Sequence, residues 1–179
     1  MRRYLFIFFI PLLFTVQVYA TTILKVGMDE LAKQSELIFE GKVISKEVRP
    51  SPIDGQPCTY FRFSILDVIK GDYHNSEIEL CFAGGTLNGI TMQVSEMTMP
   101  TVGETGIYFV DSLGKELTHP LFGWHQGHYL VKKDSSQVER VVPAHPEPVL
   151  PDGEAERKVQ KMEDLPDVET FKQMIRDRM

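Results

Sequence analysis

Residues 58–71, CTYFRFSILDVIKG, carry the clearest structural pattern in the chain and predict a β-strand. The aromatic residues Phe61 and Phe63 alternate with polar residues, so their side chains point to one face of the strand. At Leu66-Asp67 the alternation slips by one residue. Because such a slip exchanges the two faces of a strand, it predicts a β-bulge, the kind of bend that closes a small barrel.

Other short segments on either side of this strand show the same alternation and are separated by turn residues. The predicted strands cover residues 37–48, 77–82, 106–110, 128–133 and 137–142, and a short helix over residues 27–36 precedes them. Several short strands with turns between them are typical of an antiparallel barrel or sandwich. We therefore predict a mainly β fold, a five-stranded antiparallel OB-like barrel, as one domain over residues 21–142.

The first 20 residues have the features of a secretory signal peptide. Arg2 and Arg3 precede an apolar run, and a small-residue cleavage site follows it, ending at Ala20. The run is too short to be a membrane anchor, and no later segment is apolar enough to span a bilayer. The formal charge of −6 argues against nucleic acid as a partner. We expect cleavage after Ala20 and a secreted or periplasmic protein.

Proline and acidic residues dominate residues 143–165, which predicts a linker or a segment wrapped over the surface. Residues 166–179 then predict a C-terminal helix, because Val168, Phe171 and Ile175 recur on one helical face. The simplest interpretation is a helix docked on the barrel. A helix that binds a partner and a disordered tail are the alternatives.

The two cysteines, Cys58 and Cys81, would meet an oxidising environment after export. A hairpin register that pairs Ile69 with Ile78 places Cys81 opposite Leu66. Cys81 would then lie roughly 26 Å from Cys58 along the strands, whereas a disulfide needs Cα atoms within about 7 Å of each other. This register predicts that the bond does not form, and a different register would allow it.

Residues 119–131, HPLFGWHQGHYLV, hold three of the five histidines around the single tryptophan. His125 and His128 are three positions apart, so on a regular strand they face opposite sides and cannot bind one metal ion. The zinc-protease signature HExxH is absent from the chain. We predict structural or surface roles for these histidines, with no metal and no cofactor. The alternative is a metal-binding or hydrolytic protein that uses His119, His125 and His128.

Signatures of other enzymes are also absent. The glycines between residues 84 and 89 lack the ending of a phosphate-binding loop, and the chain contains no GxSxG sequence. A pair of acid–base carboxylates stays open, because only geometry would identify it. We therefore predict a protein without enzymatic activity. The glycines that flank Trp124 predict either a corner in which the tryptophan caps the core or an exposed aromatic anchor for a partner. Candidate binding residues, chosen because loops at barrel mouths commonly bind ligands, are Thr21, Gly84, Gly85, Asn88, Trp124, Gln126 and His128.

Three blocks, QSELIFEGKVISKE, YFRFSILDVIKGDY and VGETGIYFV, resemble the netrin-like module shared with tissue inhibitors of metalloproteinases. The resemblance covers roughly residues 27–131, and similar blocks look like those of small exported bacterial proteins. It implies an OB-type barrel that binds an exported protein, with a secreted protease as one candidate.

This chain departs from that family at its predicted mature start. Tissue inhibitors begin with a cysteine that reaches the protease zinc, whereas Thr21-Thr22 begins this chain after cleavage. The family's multiple disulfides are also missing, so no inhibitory residue is carried over. The leading hypothesis is an exported protein-binding module, and a structural envelope component held by the C-terminal helix is the further alternative.

Overall fold

The computed structural model describes residues 24–95, 97–115, 117–145 and 161–179. Its helices and strands are α1 (Met28–Gln34), β1 (Leu37–Pro50), β2 (Pro57–Lys70), β3 (Glu77–Ala83), β4 (Gly85–Leu87), β5 (Ile90–Met92), β6 (Thr105–Val110), β7 (His128–Lys133), β8 (Glu139–Pro143) and α2 (Val168–Arg176). Short 3₁₀ segments occur at Trp124–Gly127 and Met162–Asp164.

The strands form an antiparallel six-stranded sheet in the order β3-β2-β1-β6-β7-β8, and β4 and β5 form a separate hairpin. This confirms the prediction of a mainly β fold. The main sheet has six strands rather than five. Its edge strands β3 and β8 do not pair with each other in the described residues, so the sheet is open there.

The predicted bulge lies where the sequence pattern slips. Glu40 pairs with Asp67 and the next residue of β1, Gly41, pairs with Ile65, so β2 contains one extra residue, Leu66. Leu66 is exposed, as expected for a bulged residue whose neighbours keep the core side of the strand. Two further register shifts fall in the same strand pair and bend it additionally.

Residues 37–41 of β1 and residues 106–110 of β6 are buried on both faces of the sheet. On one face Tyr108 contacts Phe39 and Phe63, with ring centroids 5.3 and 4.7 Å away. On the other face Ile38 and Phe109 pack with apolar residues of α1 and α2. The helices therefore cover one side of the sheet, and its curvature encloses an aromatic core on the other.

Helix α2 is docked on this sheet through the predicted face. Val168, Phe171 and Ile175 are all buried in the core on the helical side. Asp167 caps the helix, because its carboxylate accepts a 2.8 Å hydrogen bond from the backbone N–H of Thr170. This confirms the docked-helix interpretation for residues 168–176, and the apolar face of the helix is used within the molecule.

Lys172 adds a buried ionic contact to the apolar contacts of α2. Its Nζ lies 2.7 Å from Glu40 Oε2, 3.0 Å from Asp67 Oδ2 and 3.1 Å from Glu169 Oε1. Glu40 and Asp67 are opposite each other in the β1–β2 register. Burial alone would lower the pKa of Lys172, but hydrogen bonds to the three carboxylates raise it above its usual value. The lysine therefore neutralises two carboxylates that would otherwise repel each other.

Some predictions fall outside the described residues. These are the signal peptide over residues 1–20, Thr21, and residues 146–160 of the predicted linker. No helix in the described part of the chain is long and apolar enough to cross a membrane.

The prediction that Cys58 and Cys81 remain apart is wrong. The structure contains a disulfide between them, with Cα atoms 5.9 Å apart. Ile78 pairs with Phe63 instead of Ile69, so Cys81 lies opposite Tyr60 and diagonally next to Cys58. The last pair of the β2–β3 ladder is Ser64 with Glu77, so the residues between them form a longer connection than the predicted Ile69–Ile78 pairing leaves.

Candidate functional site

The histidine-rich segment folds as a corner rather than as a strand. Trp124–Gly127 is a 3₁₀ turn, and strand β7 begins only at His128. Gly123 and Trp124 have positive φ angles of 66° and 60°. Non-glycine residues seldom adopt this conformation, and where they do the surrounding structure enforces it. The argument that His125 and His128 face opposite sides assumed a regular strand, and residues 124–127 do not form one.

His119 lies inside this corner and is only 4% exposed. Its ring stacks on Trp124, with centroids 5.3 Å apart, and meets Phe82 edge-on at 5.1 Å. Nδ1 accepts a 3.2 Å hydrogen bond from the backbone N–H of Leu121, so Nε2 carries the proton of the neutral ring. That N–H has no acceptor among the described residues. Burial is the main cause that lowers the pKa of His119 to about 4.

The corner also brings other histidines near His119. His125 and His128 are close enough that their positive charge would lower the pKa of His119 further. The His125 ring lies 4.7 Å from that of His145. Even so, no group of three or more histidine, cysteine, aspartate or glutamate side chains in the described residues is arranged to hold a metal ion. The histidines share one region without converging as ligands.

His128 takes part in a buried polar network with Glu104 and Tyr108. Glu104 Oε1 accepts hydrogen bonds from His128 Nε2 at 2.8 Å and from the Tyr108 hydroxyl at 3.0 Å. Its Oε2 accepts a 2.8 Å bond from the backbone N–H of Thr101. Burial would raise the pKa of Glu104, but the bond from His128 and the other donors outweigh it and lower the pKa. Burial raises the pKa of Tyr108, and the Glu104 carboxylate adds to the effect.

This network explains why His128 is 2% exposed. Both Glu104 oxygens are occupied by donors of the protein, so the carboxylate stays ionised and fixed. It ties the loop before β6 to the first residue of β7. The contacts give Glu104 and His128 a structural role and leave neither group facing the pocket described below.

Gln126 holds the beginning of the described chain against the corner. Its Oε1 accepts a 2.8 Å hydrogen bond from the backbone N–H of Val26, and its Nε2 donates to the carbonyl oxygen of Leu24 at 2.9 Å. The side-chain amide therefore bonds to a backbone N–H and a backbone C=O of this segment, as the backbone of a neighbouring strand would. Thr21, the predicted mature N-terminus, lies outside the described residues, three positions before Leu24.

The glycine pair after β3 has a packing explanation. A Cβ on Gly85 would lie 2.8 Å from Thr59 Oγ1, and one on Gly84 would lie 3.0 Å from the carbonyl oxygen of Met92. Both glycines also have positive φ angles, so they permit the corner that leads from β3 into the β4–β5 hairpin. Asn88, with φ of 51°, occupies the exposed turn at the tip of that hairpin.

These regions are neighbours in the fold. The backbone N–H of Ala83 donates a 3.0 Å hydrogen bond to the carbonyl oxygen of Thr118, next to His119. A pocket of about 240 Å³ adjoins this contact. Its walls are the loop over residues 51–57, the Cys58–Cys81 disulfide, Ala83, Met92 and residues 117–118. The pocket thus adjoins the hairpin at Met92 and the segment before the histidine corner at Thr118, but none of the predicted binding residues that the structure describes lines it.

The sequence predicts Gly84, Gly85, Asn88 and the Trp124 corner as candidate sites, but it does not predict the pocket. The pocket depends on the disulfide and on the segment around Thr118, which runs along the end of β3. The signal that could have found it is the pair of cysteines, both on strands that the sequence does predict.

Comparison of the chain with protein-family models, with curated protein sequences and with solved structures found no match. The resemblance to the netrin-like module therefore stays a prediction that rests on the three sequence blocks.

We expect the burial of His119 to make the protein less stable in mild acid. The pKa is about 4 in the folded state and about 6.5 in an unfolded chain. Between these values only the unfolded state takes up the proton, so stability falls as pH falls. The expected loss from this group is about 2 kcal/mol between pH 7 and pH 5. Urea unfolding at both pH values measures it.

The His119→Gln variant is the control for this prediction. Glutamine can still accept a hydrogen bond from the N–H of Leu121 but does not titrate. Its free energy of unfolding should therefore change less between the two pH values, whatever its stability at pH 7. An equal change in both proteins would show that His119 is not the group responsible.

Proposed function

We propose that this chain is an exported, non-enzymatic protein-binding module, whose contact surface is the pocket beside the Cys58–Cys81 disulfide together with the adjoining β4–β5 hairpin. The observation that supports it most is the position of the pocket. It lies at the end of β3, between Met92 of the β4–β5 hairpin and the residue that precedes His119. Concave sites that combine apolar walls with a few polar groups are typical binding sites.

The polar groups of the histidine corner support a role without catalysis. His119 is buried between aromatic rings, and the Glu104 carboxylate is occupied by bonds from His128, Tyr108 and Thr101. A catalytic acid or base needs access to a substrate proton. These contacts favour a corner that shapes the surface over one that performs chemistry.

Export and family are parts of the same proposal. The apolar run before Ala20 and the disulfide both suit an oxidising compartment. The netrin-like, OB-type assignment is supported by the sequence blocks and by the bulges that bend β1 and β2. A secreted protease is the partner class that this resemblance implies, so modulation of such an enzyme is the activity that we would measure first.

Affinity capture tests the proposal. Immobilised residues 21–179 are exposed to native periplasmic or culture fluid, and retained proteins are identified by mass spectrometry and assayed for protease activity. The Ala83→Phe variant places a large side chain at the pocket wall and should reduce retention of the specific partner at least tenfold. Ser64→Phe is the matched control, because Ser64 shares the same face of the β2–β3 pair but does not line the pocket.

Two results would count against this function. One is that no protein is retained both by the unmodified chain and by the Ser64→Phe control. The other is that Ala83→Phe and Ser64→Phe retain the same proteins equally well. Either result would remove the pocket as a binding surface.

A further inference from the structure

Strand β3 has backbone N–H and C=O groups that do not bond to another strand among the described residues. The N–H of Gly84 donates to the carbonyl oxygen of Pro57, and the N–H of Ile65 donates to the carbonyl oxygen of Ser76. These two bonds identify the hydrogen-bonded pairs of the β2–β3 ladder. Since bonded and non-bonded pairs alternate along an antiparallel ladder, residues 78, 80 and 82 bond to β2. The N–H and C=O groups of residues 77, 79 and 81 therefore point to the open edge.

The two edges of the main sheet differ in how they are covered. At the β8 edge the N–H of Val141 donates to the carbonyl oxygen of Pro166 at 3.0 Å, and Arg140 pairs with Asp167 in an isolated bridge. At the β3 edge Ala83 has such a partner in Thr118, and the Glu77 carbonyl oxygen accepts a 2.9 Å hydrogen bond from the Tyr73 hydroxyl. Among the residues described, the backbone groups of Glu79 and Cys81 and the N–H of Glu77 have no partner at this edge. Proteins usually cover or blunt an open strand edge, because it can pair with another chain.

Charges next to this edge favour a partner of one kind. Glu77 and Glu79 share the outer face of β3 and contact arginines of β1 and β2. Arg49 pairs with Glu79 and lies 3.8 Å above the Tyr60 ring. The arginines belong to β1 and β2, on the inner side of the glutamates, so the glutamates are the charged side chains nearest the open edge. An added strand with basic side chains would complement it.

A second copy of this chain fits the edge poorly. Pairing two β3 strands antiparallel about a twofold axis, with all of residues 77, 79 and 81 used, puts Glu79 opposite its own copy. Like charges directly opposite each other on a sheet are destabilising. Moving the register towards the end of the strand brings in Ala83, whose N–H is already bonded to Thr118.

We propose that the β3 edge binds an extended segment of a partner protein as an added antiparallel strand. This proposal rests on the protein-binding function and specifies its chemistry. Side chains of the added strand opposite residues 81, 79 and 77 all point to the outer face. The side chain opposite Cys81 lies beside the pocket and is apolar. The side chains opposite residues 79 and 77 face Glu79 and Glu77 and are basic. The recognised pattern is apolar-x-basic-x-basic, with backbone bonds giving affinity and side chains giving specificity.

Amide exchange measured by NMR, with a defined peptide as the probe, tests this inference. The probe is acetyl-TLTKTKT-amide. In the free protein the amides of residues 77, 79 and 81 should exchange rapidly, and those of residues 78, 80 and 82 slowly. Saturating peptide should slow exchange of the first group at least tenfold. The peptide in which glutamate replaces both lysines should bind at least tenfold more weakly.

Backbone substitutions separate strand addition from charge attraction. N-methylation of the leucine and both lysines blocks the bonds to the edge and should abolish binding. N-methylation of the threonines between them, whose amides point away, should leave affinity within about twofold. In the protein, Glu79→Pro removes an N–H that the sheet does not use and should weaken binding at least tenfold, whereas Glu79→Gln should weaken it less.

Several outcomes would overturn the inference. Slow exchange of residues 77, 79 and 81 in the free protein would show that the chain's own residues already cover the edge. Binding of the lysine peptide without protection of these amides, or equal binding of the glutamate peptide, would exclude the proposed recognition. If Glu79→Pro still captures the native partner that Ala83→Phe loses, the binding function stands and strand addition falls. If the unmodified chain captures nothing, the function itself falls.

Discussion

Replacing Lys172 with methionine should lower the free energy of unfolding by about 4 kcal/mol, because it leaves the buried carboxylate of Glu40 without its counter-charge. The lysine side chain is 6% exposed and that of Glu40 is 11% exposed. Glu40 and Asp67 face each other in adjacent strands and would repel once the lysine is absent. Urea unfolding followed by circular dichroism at pH 7 gives the value.

A second substitution identifies the cause of the loss. Glu40→Gln removes the buried charge, so Lys172→Met combined with Glu40→Gln should recover about 2 kcal/mol relative to Lys172→Met alone. Lys42→Met is the control, since Lys42 is exposed on the same strand. If the free energy of unfolding of Lys172→Met lies within about 1 kcal/mol of that of the unmodified protein, the ion cluster does not hold α2 in place.

Removing the disulfide should have the second largest effect. Cys58 and Cys81 close a loop with a sequence separation of 23, and a link over this distance stabilises the folded state by about 3 kcal/mol. The double variant Cys58→Ser, Cys81→Ser should lose that amount in urea unfolding. It should also show weaker binding at the pocket, because the bond forms part of the pocket wall.

Reduction gives an independent measurement of the same bond. Dithiothreitol should lower the unfolding midpoint of the unmodified protein towards that of the double serine variant and leave the variant unchanged. A midpoint of the unmodified protein that does not respond to the reductant, with thiol titration confirming reduction, would contradict the prediction.

Alternation along β2 and β3 predicted which residues face the core but not how the strands pair. The observed pairing of Phe63 with Ile78 differs from the predicted partner, Ile69, by six positions. A displacement by an even number of residues keeps every side chain on its face, so alternation alone cannot detect it. The missed disulfide follows from this displacement, and the pocket was missed with it.

Local signals were sufficient elsewhere. The face of α2 and its acidic cap lie within a few residues of one another, so the sequence predicts them without knowledge of the rest of the fold. The glycines around Trp124 predict a corner, but they do not predict the conformation of that corner. It depends on the left-handed conformation of Gly123 and Trp124 and on the close approach of Gly127 to Phe122 and Phe109. These contacts depend on the packing of β6 against the corner, and no periodic pattern in the sequence predicts them.

The helical layer has a consequence for biosynthesis. Strands β1 and β6 are made early, yet the residues that cover their helical side, among them Phe171 and Ile175, are made much later. The carbonyl oxygen that covers the β8 edge, that of Pro166, also belongs to this late segment. Until residues 161–179 have emerged, the apolar surface that α2 covers therefore stays exposed on the nascent chain, and α1 is the only described helix that can pack on this side. Chaperones that bind such faces should have their longest contact with this protein during that interval.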